Sequence, residues 1–234
     1  RLTDVTGVQT CALPISSLEQ LKKPDYYALP YYWVDAKEVA LRLRHKWDRG
    51  WLIGWRDVTD ARASARTVIA SVVPCVGVGN KFVLIIISPM IKIASMVALA
   101  GNLCSFPLDY VARQKMGGIT LNYFIMKQLP ILPPAAYEGP CPWDRSKTTG
   151  EWILPRVLEL VYTAWDLAPF ARDCGYDGPP FAWDEERRFS LRCELDAAYF
   201  HLYGTTRDEA AYVLDTFPIV RRKEIGRASC RERV

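Results

Sequence analysis

Phe82-Val83-Leu84-Ile85-Ile86-Ile87-Ser88-Pro89 decides between a membrane span and a buried core. The apolar character continues to Cys104, but Ser88-Pro89 breaks the run after six residues, and Lys92 and Asn102 sit inside it. A span needs about 20 uninterrupted apolar residues. The stretch therefore reads as a strand over 82–87 and a core helix over 89–104. Being apolar on both faces, the strand is expected at the centre of its sheet.

Working back from this strand, residues 30–88 alternate between strand and turn signals. Tyr31-Tyr32-Trp33-Val34 is rich in β-formers. Trp51-Leu52-Ile53-Gly54-Trp55 follows a turn at Asp48-Arg49-Gly50, and Thr67-Val68-Ile69-Ala70-Ser71-Val72-Val73 ends at Pro74. Forward of it, residues 107–114 and 119–129 carry short strand or helix patterns around Gly117-Gly118. Residues 135–150, with Gly139, Pro140, Pro142 and Gly150, read as a Pro-rich linker. Beyond 150 the period becomes helical. Ile153, Val157, Leu158, Val161, Ala164, Trp165 and Ala168 share one helix that Pro169 should stop. Asp184 caps a helix running to Tyr203 with Gly204 as its stop, and Thr206-Arg207-Asp208-Glu209 is a capping box. The expected class is α+β: a β-rich domain with a core helix over 30–134, the linker, then a small helical region over 151–224. Residues 16–29 are an incoming linker.

Both ends stand apart. Val5-Thr6-Gly7-Val8-Gln9-Thr10-Cys11-Ala12-Leu13-Pro14-Ile15 and Ile225-Gly226-Arg227-Ala228-Ser229-Cys230-Arg231-Glu232-Arg233-Val234 look like translated sequencing adapters. Segments 1–15 and 225–234 are accordingly set aside, and 16–224 is expected to be an internal fragment of a longer protein.

At 234 residues, 50% hydrophobic and 24% charged, the chain is too apolar for a disordered polymer. Its net charge of +4 conceals a split. Residues 30–135 hold 13 Lys/Arg and 6 Asp/Glu, a balance of +7, whereas residues 136–224 hold 11 and 16, a balance of −5. A polyanionic partner for the first half follows from that asymmetry. Cys75, Cys104, Cys141, Cys174 and Cys193 are widely spaced with no C-x-x-C, which fits idle thiols in a reducing cytoplasm. His45 and His201 lack neighbouring ligands, so no metal site is expected.

No nucleophile–base pair stands out in the sequence. Gly77-Val78-Gly79 lacks the third glycine of a phosphate loop and reads as a turn. In Gly178-Pro179-Pro180-Phe181, glycine replaces the residue that would accept a hydrogen bond from a target amino group, so this too is a rigid turn rather than a catalytic motif. The basic half offers more. Arg56, Arg62 and Arg66 lie close together, and Arg113-Gln114-Lys115 runs into Gly117-Gly118, with Asn122 and Tyr123 next. Such side chains reach phosphates and base edges, and adjacent glycines let the backbone approach a phosphate.

Several blocks occur in a fixed order. They are Trp51–Thr59, Arg66–Pro74 with Gly77-Val78-Gly79, Leu108–Gly118, Gln128–Pro134, Tyr176–Phe181 and Glu194–Phe200. Together they resemble the C-terminal part of large adenine-specific DNA methyltransferases of type IIG restriction–modification and BREX- or DISARM-like phage-defence systems. The resemblance spans nearly all of residues 30–223. It implies a prokaryotic, cytoplasmic target-recognition region that grips double-stranded DNA. Methyl transfer from S-adenosylmethionine would take place in a missing N-terminal domain after base flipping. It further implies DNA contacts at Arg62, Arg66, Thr67, Arg113, Lys115, Gly117, Gly118 and Asn122, with no catalytic or cofactor-binding residue in this fragment. Cys75 stands where the family pattern carries a basic residue, and Ile119 where it is more polar. The alternative is a non-catalytic module whose acidic helical half docks other defence-system subunits.

Overall fold

The computed structural model describes residues 5–8, 17–27, 32–60 and 64–220. Its first elements are β1 (Val5–Val8), α1 (Leu18–Leu21), β2 (Tyr32–Asp35), α2 (Ala36–Leu43), β3 (Trp51–Arg56), β4 (Ala70–Pro74) and β5 (Phe82–Ile85). There follow α3 (Ile93–Leu103), α4 (Phe106–Lys115), α5 (Tyr123–Met126), α6 (Ala135–Glu138), β6 (Pro140–Cys141) and β7 (Asp144–Thr148). The chain closes with α7 (Thr149–Val161), α8 (Ala168–Asp173), α9 (Glu185–Leu202) and α10 (Arg207–Asp215). About 47% helix and 14% strand, with small antiparallel sheets, make the fold α+β.

β3 is the centre of the main sheet, flanked by β4 and β5, both antiparallel to it. Trp51 to Trp55 are all buried, whereas β5 is half-buried throughout. The central strand is therefore Trp51–Arg56, and the more hydrophobic Phe82 strand lies at an edge and stops at Ile85. Two tryptophans explain the exchange. Trp51 meets Phe170 edge to face at 5.2 Å and Trp47 at 5.3 Å, so helix α8 and the loop before β3 cover what a bare sheet would expose. Pro74 ends β4 on the other edge, where proline is tolerated. Residues 67–69, expected as strand, are held by a helix instead, as described below.

Helices close the other side. Residues 107–114 are helical, with Pro107 in the first turn of α4, where its missing N–H costs nothing. α3 packs on α7 and approaches α9, where the Tyr199 hydroxyl donates to the Ala98 carbonyl at 2.6 Å. Gly101 permits that approach: a Cβ there would lie 2.8 Å from the Tyr199 hydroxyl. Buried Asn102 donates to the Tyr203 hydroxyl at 3.0 Å and accepts the Leu132 N–H at 3.1 Å, pinning the Pro-rich run after Leu129.

Proline positions account for the other departures. Pro155 sits inside α7, and that helix ends at Val161. Pro169 does not stop it but lies in the first turn of α8. Residues 135–150, expected as a linker, form α6 and the β6–β7 hairpin, with Tyr137 and Cys141 buried. In the segment expected as an incoming linker, Ser17 caps α1 and the Pro24 carbonyl accepts the Trp165 N–H at 3.1 Å. Val5–Val8, within the stretch read as adapter, pairs antiparallel with β2.

The later helix signals match the structure: Asp184 caps α9, Gly204 follows it with φ of 68°, and Thr206 and Glu209 form a complete capping box. The Gly178-Pro179-Pro180-Phe181 turn is closed by Tyr176, which stacks on Phe181 at 4.9 Å and donates to the Pro179 carbonyl. One apolar cluster contains Trp51, Ile53, Met96, Leu108, Ile153 and Tyr199, so the β-rich and helical halves share a core. A smaller cluster of Phe106, Phe200, Ala210, Val213 and Phe217 seats α10. No helix among the described residues is long and apolar enough to cross a membrane.

Candidate nucleic-acid interface

The residues expected to contact DNA divide into an inner and an outer set. The inner set surrounds Asp109 on α4, whose side chain is about 1% exposed. Its carboxylate accepts the main-chain N–H of Thr67 at 2.9 and 3.1 Å and that of Val68 at 3.1 Å. Arg66 Nε lies 3.5 Å away, and its Nη2 lies 3.7 Å from Asp196. The same guanidinium covers the Phe106 ring at 3.7 Å and donates to the Cys104 carbonyl. Arg113 donates from Nε to the Thr67 hydroxyl at 3.1 Å and from Nη1 to the Thr216 carbonyl at 3.2 Å, and covers the Phe217 ring at 4.2 Å. Thr67 is fully buried. Arg66, Thr67 and Arg113 thus belong to one internal network. Burial pushes the Asp109 carboxyl above its usual range, against the pull of Arg66 and the two amides. Burial likewise lowers Arg113.

The outer set begins where α4 ends. Lys115, Gly117, Gly118 and Asn122 are exposed, and a Cβ added at either glycine would meet nothing within 4 Å. Two main-chain hydrogen bonds fix this arm to the sheet side: Thr59 N–H to the Ile119 carbonyl at 2.8 Å and Leu121 N–H to the Asp57 carbonyl at 2.6 Å. The Trp55 indole donates to the Leu121 carbonyl at 2.9 Å. Asn122 caps α5, its Oδ1 accepting the Ile125 N–H at 3.0 Å. Arg62 lies outside the described residues.

Sequence reading named Arg56 and Tyr123 in the basic half but missed Lys81, Phe124 and Lys127. Lys81 and Arg56 enter this surface through the ends of β5 and β3: Asp57 N–H donates to the Lys81 carbonyl at 3.0 Å, and Arg56 pairs with Phe82. The Lys81 ammonium sits 3.4 Å from Asp57. Tyr123 and Phe124 are 59% and 77% exposed, and the Lys127 ammonium lies 4.4 Å above the Tyr123 ring. The Tyr123–Lys127 spacing of one helical turn was the available signal. Arg56, Lys81, Lys115 and Lys127 with exposed aromatics and open glycines form a basic, aromatic, close-approach surface.

A cavity of about 830 Å³ opens beside the inner network, lined by Val68, Ala70, Cys104, Leu160, Trp183 and Arg188 among others. Arg188 lies over Trp183 at 3.7 Å and donates to the Leu160 carbonyl; burial lowers it to about 10. Cys104 is exposed at this cavity, and its thiol donates to the Ala70 carbonyl at 3.5 Å. Cys75, Cys104, Cys141 and Cys174 are free thiols. Among the described residues, no group of three or more His, Cys, Asp or Glu could hold a metal ion. Comparison with protein-family models, curated proteins and solved structures finds no match for the chain.

Proposed function

We propose that this chain is the DNA-binding, target-recognition portion of a site-specific adenine DNA methyltransferase of a restriction–modification or phage-defence system. S-adenosylmethionine would bind, and methyl transfer would occur, in a separate N-terminal domain. The observation that carries the reading is the exposed arm Lys115–Lys127, in which cations, open glycines and aromatics lie on one pinned segment. The ordered motif resemblance supplies the reaction class. Lys115, Gly117, Gly118 and Asn122, with Arg56, Lys81 and Lys127, are the proposed contacts. Arg66, Thr67 and Arg113 are proposed to hold the scaffold behind them.

The test is duplex binding by the whole chain as salt is raised. Contacts from four cations give a slope of log K on log salt of roughly −3 to −4. Binding that is absent, or indifferent to salt, overturns the reading. A docking role for the acidic half is a second reading, favoured by Tyr212, which is 63% exposed on α10 beside Asp208 and Glu209. The two halves share one core, so deleting 136–223 would unfold both. Tyr212→Ala with Asp208→Lys separates the readings, because it abolishes capture of the purified methyltransferase domain only if α10 is the docking surface.

A further inference from the structure

Phe124 is 77% exposed on a segment that is otherwise fastened down. Leu121, Met126 and Leu129 are buried on both sides of it, the Trp55 indole holds the Leu121 carbonyl, and the Asn122 side chain caps the turn. The Gln128 amide donates to the carbonyl of Phe124 itself at 3.2 Å. Such fastening spends little chain entropy on contact and presents the ring in one place. Tyr123 stands beside it at 59% exposure with the Lys127 ammonium over its face, and Lys115 and the two open glycines precede it. A surface ring on a rigid base, on a segment that carries Lys127 over the neighbouring Tyr123 ring and follows Lys115, suits a partner that is anionic outside and aromatic inside. That combination describes a nucleic acid whose bases have come apart, and it fits a protein partner poorly, since Lys is depleted at protein–protein interfaces.

Building on the proposed DNA-binding role, we propose that Phe124, flanked by Tyr123, is an aromatic wedge that stacks on bases at an unstacked step of the bound duplex. Lys115 and Lys127 hold the phosphates on either side, while Gly117-Gly118 lets the backbone close on the strand. A base–aromatic stack gives about tenfold in Kd, and unstacking is cheapest where a pair is already broken.

The experiment compares two 24-base-pair probes, one fully paired and one with a central two-base mismatch, bound by the whole chain and by Phe124→Ala and Phe124→Trp. The wild-type chain should prefer the mismatched duplex by about tenfold. Phe124→Ala should lose that preference while keeping the salt slope for both duplexes, since a base stack carries no charge, and Phe124→Trp should restore it. Circular dichroism confirms folding of each variant. Paired-duplex binding with no preference for the mismatch, or a preference unchanged in Phe124→Ala, overturns the wedge alone. Absence of all duplex binding overturns the DNA-binding reading itself, and the wedge with it. A surface that instead binds protein shows salt-insensitive capture lost in Phe124→Ala, which also overturns the wedge.

Discussion

The Asp109 carboxylate accepts the main-chain N–H of Thr67 at 2.9 Å, across 42 residues of sequence. That bond joins the two basic clusters of the sequence into one structural unit. Arg66 approaches the carboxylate from one cluster, and Arg113, from the other, reaches the Thr67 hydroxyl. The turn before β4 thus takes its shape from α4, and α4 delivers Lys115 and the glycines to the surface.

Asp109→Ala should be among the most destabilising single changes in the chain. It strips three hydrogen bonds from the Thr67 and Val68 amides and leaves Arg66 without its nearest carboxylate. Breaking a buried network of this kind costs about 3 kcal/mol. Urea unfolding should show the midpoint falling with the slope unchanged; a loss under about 0.5 kcal/mol would remove Asp109 from the centre of the network.

Arginine and lysine variants should separate inner from outer roles. Arg66→Ala and Arg113→Ala should lower the melting temperature and leave the salt slope of duplex binding unaltered, because both guanidinium groups face internal carbonyls, rings and carboxylates. Lys115→Ala should leave the melting temperature alone and flatten the slope by about 0.9, one phosphate contact. The reverse pattern would place the arginines at the ligand.

Local signals were legible in the sequence and distant ones were not. The Asp184 cap, the Gly204 stop and the Thr206–Glu209 box each lie within four residues of what they govern, and each has its expected place. The Asp109 network carries no local signal: nothing near Arg66 or Arg113 in the sequence shows that α4 packs beside the 66–68 turn and gives both arginines internal partners. Hydropathy alone ranked Phe82–Ile87 above Trp51–Trp55. The ranking reversed because Phe170 and Trp47 cover β3, a tertiary fact. Pro169 was legible as a boundary but not as to which side, since proline stops one helix and starts another equally well. Exposure of Phe124 was likewise illegible: Tyr-Phe-Ile-Met is uniformly apolar, and only the packing of Met126 decides which ring faces out.

Two glycines predict opposite outcomes. A Cβ at Gly54 would lie 2.4 Å from the Val83 carbonyl oxygen, a main-chain atom of β5 that cannot swing aside. Gly54→Ala should therefore part β5 from the central strand β3 and cost about 2 kcal/mol in chemical unfolding. Gly117→Ala meets nothing and should leave stability unchanged. If the bare backbone at Gly117 closes on a phosphate, the same change should weaken duplex binding several-fold. Equal stability losses at the two sites would contradict the packing, and unaltered binding in Gly117→Ala would remove that glycine from the contact surface.

The capping boxes give the acid side of the stability curve a definite sign. Glu151 and Glu209 are held below the ordinary glutamate range, first by the main-chain N–H of Thr148 and of Thr206 and then by the same threonines' hydroxyls. A carboxyl whose folded value is depressed stabilises the protein above its unfolded value, and that contribution is lost as pH falls through the folded value. Asp109 works the other way. Burial raises it, so its contribution is complete below its unfolded value and declines as pH rises through the folded one. The double variant Glu151→Gln, Glu209→Gln keeps both boxes in form but removes their titration. Its melting temperature should lie below the wild-type value at neutral pH, and the two curves should converge as pH falls below the glutamate range. In Asp109→Ala, by contrast, the gap to wild type should narrow as pH rises above the ordinary aspartate range. Parallel curves in the first comparison would mean that neither glutamate titrates against its cap, and a widening gap in the second would mean that Asp109 is ionised by its partners more strongly than burial opposes.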